Sequence, residues 1–195
     1  MKALFMILFS VILVDNLVLS KFLGICSYLG LSKNLKNAMG MSVAVTFVML
    51  IATLCTWPIH YFLLLPLGLG YLDNLVFILV IASVVQVIEA IIHKSIPPLY
   101  RAMGIYLPLI TTNCAILGIM FVNINESYNF MTSIFNSVGA GLGYMLAMFL
   151  FNGVRTKMEE SNPPKFLQGL PITLIASGLV SVSFFGFKGM IQNLF

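Results

Sequence analysis

Six apolar runs, each close to 20 residues long and almost free of charge, dominate this sequence and leave it few ways to fold. Crossing about 30 Å of hydrocarbon takes a helix of roughly 20 residues. No water satisfies backbone N–H and C=O groups at that depth, so segments that cross must close their hydrogen bonds internally, and runs of this length do so as helices. The runs are approximately Ala3–Phe22, Asn37–Trp57, Tyr71–Ile92, Leu99–Val122, Phe130–Val154 and Leu170–Phe187. Charged residues are only 8% of the 195, whereas an ordinary soluble domain carries about 25%. Too few charges remain to clothe a water-facing exterior, and lipid is the expected solvent for most of the surface.

The connectors are short and carry turn and charge signals: Ser32-Lys33-Asn34, Pro66-Leu67-Gly68, Lys94-Ser95-Ile96-Pro97-Pro98, Asn123–Asn129 and Glu159–Pro164. No soluble domain fits between them, so residues 1–195 are expected to form a single transmembrane domain. Met1–Val14 resembles the start of a signal peptide, but no small-residue cleavage site follows and the later runs are equally long. It reads as a retained first helix.

Basic residues set the expected orientation. Lys33 and Lys36, then Lys94 and Arg101, then Arg155, Lys157 and Lys165 fall in three connectors that share one face. Lys and Arg near helix ends are retained in the cytoplasm, so both termini are predicted to be extracytoplasmic. Lys2 and Lys188 fall on the other face, and Lys21 is ambiguous. Trp57, His60, Tyr61 and Tyr71 then belong to an outer aromatic belt. The net charge of +4 is scattered, with no basic cluster dense enough to bind nucleic acid.

Weak internal similarity divides the chain into 1–97 and 98–195. Cys26-Ser27-Tyr28-Leu29-Gly30 and Cys114-Ala115-Ile116-Leu117-Gly118 share C-x-x-L-G. Gly40 with Ala44, and Gly139 with Gly143, place small residues four apart in the second run of each half, a spacing suited to close helix approach. Ile81-Ala82-Ser83 and Ile175-Ala176-Ser177 recur in the third runs. Three spans per half make the second half inverted relative to the first, bringing Cys26 and Cys114 together near the bilayer midplane. The expected fold class is therefore all-α integral membrane: six transmembrane helices in two inverted three-helix repeats, with broken or half helices carrying the cysteines.

Length supports a break in the first half. Met1–Leu31 as one helix would measure about 46 Å, well beyond the hydrocarbon layer. Asp15-Asn16, Ser20-Lys21 and Gly24 are candidate interruptions there, and Pro108 with Thr111-Thr112-Asn113 in the second half.

Thiolates favour iron–sulfur clusters, zinc or copper, but two cysteines complete no cluster. Cys26 and Cys114 thus make at most a half-site that needs a partner chain, against the plain alternative of two buried apolar-like residues. Cys55 has no counterpart in the other half and reads as packing. Asn113 and Thr112 are candidates to hydrogen-bond the sulfur of Cys114 or to cap a helix at the break. Asp15 and Glu89 are ionisable residues inside apolar runs and candidates for an ion path. Glu89 has the alternative of pairing with His93 at i, i+4.

Phe22-Leu23-Gly24-Ile25-Cys26, Val85-Gln86-Val87-Ile88-Glu89 and the long run Gly104-Ile105-Tyr106-Leu107-Pro108-Leu109-Ile110-Thr111-Thr112-Asn113-Cys114-Ala115 resemble the family that contains the A-type subunits of the Rnf complex and the D and E subunits of the sodium-pumping NADH:quinone oxidoreductase. The likeness covers nearly the whole chain and is strongest to the A type. It implies one [2Fe–2S] cluster inside the membrane, held by Cys26 and Cys114 together with two cysteines of a homologous subunit of E type. It further implies partners of the B, C, D and G types, ferredoxin and NAD bound by those other subunits, a place in the bacterial cell membrane, and electron flow coupled to Na⁺ or H⁺ transport. No complete active site is expected in this chain alone. Alternatives are a subunit of the quinone reductase, a carrier with no redox chemistry, and a purely structural assembly subunit.

Overall fold

The first apolar run does not continue as one helix. In the structure, a computed structural model describing residues 2–32, 34–67, 72–95, 110, 113–160, 164, 166 and 168–192, helix α1 spans Lys2–Leu13 and stops. The chain then turns from Val14 to Gly24 before a seven-residue helix, α2 (Ile25–Leu31). The expected span Ala3–Phe22 is corrected to this shorter helix and an irregular stretch.

That irregular backbone is buried and satisfied. Asn16, 1% exposed, donates through Nδ2 to the Gly143 carbonyl at 2.8 Å and accepts at Oδ1 from the N–H groups of Val18 and Leu19 at 3.1 and 3.4 Å. Leu23 N–H bonds the Leu17 carbonyl, and Ser181 donates to the Leu19 carbonyl. Protein groups thus replace the water that a non-helical segment lacks in an apolar interior.

Helix α3 (Leu35–Ile59) runs through Pro58 into a π-helical turn, His60–Leu64, and on to Leu67. Proline removes one backbone donor and crowds the preceding turn, and the widened turn just beyond it absorbs the mismatch. Helices α4 (Asp73–Ser95), α5 (Cys114–Asn125), α6 (Phe130–Glu160) and α7 (Leu170–Gln192) complete the described elements. Among the described residues, α3 with its extension and α6 are each long and apolar enough to cross a membrane. Pro108, Thr111, Thr112 and most of the expected fourth span lie outside the described residues, as do Lys33 and Tyr71.

The chain is all-helical wherever it is described. A short cysteine-bearing helix, a long helix and a third helix follow one another twice, as α2–α3–α4 and as α5–α6–α7. The central pair is α3 against α6, antiparallel because Thr46 meets Gly141 while Thr53 meets Ser137. A Cβ on Gly141 would fall 2.5 Å from Thr46 Cγ2, so the Thr46 side chain seats directly on the glycine and only glycine leaves it room. Gly139 and Gly143, expected at a helix contact, do receive Leu8 and Ile12 of α1. Gly40 does not: among the described residues nothing lies within 4 Å of a Cβ placed on it.

The core joins Met41, Val45 and Met49 of α3 to Ile116 and Met120 of α5 and to Tyr144, Met148 and Phe151 of α6. Large apolar side chains instead face outward along α4 and α7, including Leu75, Leu79, Leu174, Leu179 and Val182. An exterior of that kind suits lipid or a neighbouring protein, not water.

Candidate functional site

Cys26 is the second residue of α2 and Cys114 the first of α5, and both side chains are exposed. Cys55, by contrast, is half-buried on α3. None of the three forms a disulfide.

The two cysteine turns touch. Gly24, which precedes α2 with φ +82°, packs so closely that a Cβ there would lie 3.1 Å from Ala115 Cβ, 3.1 Å from Asn113 Oδ1 and 3.4 Å from Tyr144 Cε2. Ala115 and Asn113 flank Cys114 on either side. Left-handed φ and the absence of free space both restrict this position to glycine.

Each turn is held differently. Asn113 caps α5, its Oδ1 accepting from Ala115 N–H at 3.0 Å, so of the two roles open to Asn113 the capping one is present. Its Nδ2, although buried, has no hydrogen-bond partner. Thr112 lies outside the described residues. The first turn is held by α6 instead: Tyr144 Oη lies 2.7 Å from Ser27 Oγ, and Ser27 donates to the Gly24 carbonyl at 3.0 Å. At the far end of α2, Arg155 Nη1 donates to the Leu29 carbonyl and to Ser32 Oγ, both at 2.6 Å, and Asn152 Nδ2 donates to the Ser32 carbonyl at 2.6 Å. These bonds satisfy carbonyls that a seven-residue helix leaves open.

Tyr144 stands near the middle of the 31-residue α6, which is about 46 Å long. The paired turns therefore lie at mid-height of the longest helix. Among the described residues no three of His, Cys, Asp and Glu gather in one place.

The ion-path candidates are placed apart from this pair. Asp15 is partly buried and lines a cavity of about 160 Å³ with Lys21, Glu126, Tyr128 and Asn136. The Tyr128 phenol, in the connector before α6, is pushed above its ordinary 10.0 by burial first and then by the Glu126 and Asp15 carboxylates. Glu89 and His93 are four apart on α4, and their side chains lie outside the described residues. Trp57 stacks on Tyr61 at 5.2 Å and donates to the Tyr128 carbonyl at 3.2 Å.

Sequence reasoning treated Arg155 only as an orienting charge and passed over Tyr144. A phenol directly after a glycine-rich run, Gly139 to Gly143, was the one available signal. Comparison with known families supplies the remaining constraint, because a model described as "Rnf-Nqr subunit, membrane protein" matches residues 4–191. The chain belongs to the Rnf-Nqr subunit family. It is 54% identical over 187 residues to the A-type subunit of an Na⁺-translocating ferredoxin:NAD⁺ oxidoreductase complex of Acetobacterium woodii, covering 96% of this chain and 97% of that one. The A-type subunits of ion-translocating oxidoreductase complexes from Syntrophotalea carbinolica (47% over 193 residues; 99% and 100%) and Edwardsiella ictaluri (47% over 187 residues; 96% and 97%) are similar along nearly their full lengths. This Rnf-Nqr chain is accordingly a membrane protein of the A type.

Proposed function

We propose that this chain is a membrane component of a bacterial, redox-driven, ion-translocating ferredoxin:NAD⁺ oxidoreductase complex, and that Cys26 and Cys114 give half the ligands of a [2Fe–2S] cluster shared with a homologous E-type subunit. The observation that carries this reading is the contact between the two cysteine turns, with both thiols exposed on one chain. The donor set fits the group: two soft thiols, plus a buried N–H donor, Asn113 Nδ2, left without a partner beside Cys114. Two sulfurs from this chain leave room for two from a neighbour. The likeness to an Acetobacterium woodii protein named for ferredoxin:NAD⁺ oxidoreduction favours that activity over quinone reduction.

When bound, such a cluster supplies one-electron transfer. The chain's own residues do the rest. Cys114 opens a 12-residue helix and so stands at the positive end of that helix's dipole. The Asn113 amide is available to donate toward sulfur, and the α6 clamps fix the Cys26 turn. An electron held between Cys26 and Cys114 would be poorly screened in an apolar surrounding and would favour a cation nearby. The cavity at Asp15 offers one approach for Na⁺ or H⁺, with Glu89 on α4 as a second candidate. The antiparallel α3–α6 pair and the twice-repeated element order support two inverted halves of three spans each, and the placement of the basic residues supports both termini outside the cytoplasm. Ferredoxin and NAD bind on other subunits, of the B, C, D and G types.

Cys26→Ser and Cys114→Ser, each made in the whole complex, are expected to remove the cluster's EPR signal and stop ferredoxin-dependent NAD⁺ reduction. Retention of both properties would sink the reading. A carrier without redox chemistry would be colourless when purified anaerobically with its partner, whereas the shared cluster makes the complex brown.

A further inference from the structure

Tyr144 is completely buried, and a phenol hydroxyl in an apolar interior must find a partner. Its partner is Ser27, one residue past Cys26. Ser27 has a single hydroxyl hydrogen, committed to the Gly24 carbonyl at 3.0 Å. The 2.7 Å bond between the hydroxyls therefore runs from Tyr144 O–H to Ser27 Oγ. A directed chain results, Tyr144 O–H to Ser27 O–H to Gly24 C=O, in which each bond polarises the next.

The same ring also touches the second turn. Tyr144 Cε2 lies against Gly24, whose other neighbours are Asn113 and Ala115. Asn113 Nδ2 is buried beside this contact without a hydrogen-bond partner. One side chain of α6 thus reaches both cysteine turns at once.

We infer that Tyr144 is a positioning residue: its hydroxyl, acting through Ser27 and Gly24, sets the first cysteine turn against the second and biases the redox potential of the group they hold. This rests on the cluster reading above. The O–H dipole points its positive end toward the Cys26 turn, so it favours the more negative, reduced state. Removing the hydroxyl lowers the potential, while the ring, the packing and the cysteines remain.

The test is Tyr144→Phe in the whole complex, with Ser27→Ala and the double variant, followed by EPR-monitored redox titration of the cluster. The expected result is a retained signal with a midpoint shifted to more negative potential in Tyr144→Phe, a like shift in Ser27→Ala, and little further shift in the double variant, since both act through one chain of bonds. An unchanged midpoint in both single variants overturns the inference, even if melting temperature falls, because packing alone does not move the potential. If Tyr144→Phe fails to assemble, Ser27→Ala, which keeps the ring, decides by the same criterion. A wild-type complex with no Cys26- and Cys114-dependent signal overturns the cluster reading and this inference together; a normal wild-type signal with unmoved variants overturns this inference alone.

Discussion

The two cysteine turns carry the same C-x-x-L-G pattern but are built by different means. The second opens a 12-residue helix and is capped by its own neighbour, Asn113. The first sits on a seven-residue helix, too short to be stable by itself, and depends on residues more than 100 positions away: Tyr144, Asn152 and Arg155 of α6. One turn is locally encoded and the other is imposed by tertiary contacts. The two turns thus share a motif but not their supports.

The largest expected effect falls on the first turn. Gly24→Ala puts a Cβ at φ +82° and 3.1 Å from both Ala115 Cβ and Asn113 Oδ1, adding overpacking of about 1–3 kcal/mol to backbone strain of about 1–3 kcal/mol. Thermal unfolding of the purified complex should drop clearly, and a melting temperature equal to wild type would show that the turns do not press on each other.

Cutting the supports one at a time sharpens the contrast. Arg155→Gln removes the charged donor to Leu29 and Ser32, and bonds of that kind contribute about 1.5–3 kcal/mol. Asn113→Ala removes a local cap worth about 1 kcal/mol. Alkylation of the cysteines by a membrane-permeant maleimide should accelerate at Cys26 in the first variant and at Cys114 in the second. Equal acceleration at both sites in either variant would break the distinction between imposed and local support.

Why the sequence announced one turn and hid the supports of the other follows from range. The break after α1 was legible because Asp15, Asn16 and Gly24 interrupt a run already too long for the bilayer, and the helix does end at Leu13. The cysteine positions were legible through the repeated motif. Tyr144 and Arg155 were not, because nothing local records that a phenol and a guanidinium on α6 meet carbonyls and hydroxyls of α2. Small residues four apart misled at Gly40, since that spacing names a helix face without naming what covers it. The tight seat for Thr46 falls on Gly141, outside both small-residue pairs. The second span, expected to end at Trp57, does not stop there: the helix runs through Pro58 and a π-helical turn onward to Leu67.

The smallest effect concerns the connector before α6. Tyr128 is raised above 10.0 by burial and by Glu126 and Asp15. A group whose folded pKa is raised adds stability that is complete below its unfolded value and is lost as pH climbs through the folded one. Stability from Tyr128 is thus intact at neutral pH and lost only in alkali above 10.0. Glu126→Gln should move the tyrosinate absorbance titration of this residue, assigned by comparison with Tyr128→Phe, to lower pH; no movement would remove Glu126 as a cause.

Anaerobic structure determination of the whole complex, with iron located by its anomalous scattering, tests the central claim most directly. The account predicts two iron atoms at the boundary between subunits, bonded to Cys26 and Cys114 on this side and to two cysteines of the neighbouring chain on the other. Sulfur atoms of Cys26 and Cys114 facing lipid, with no iron between the subunits, would contradict it.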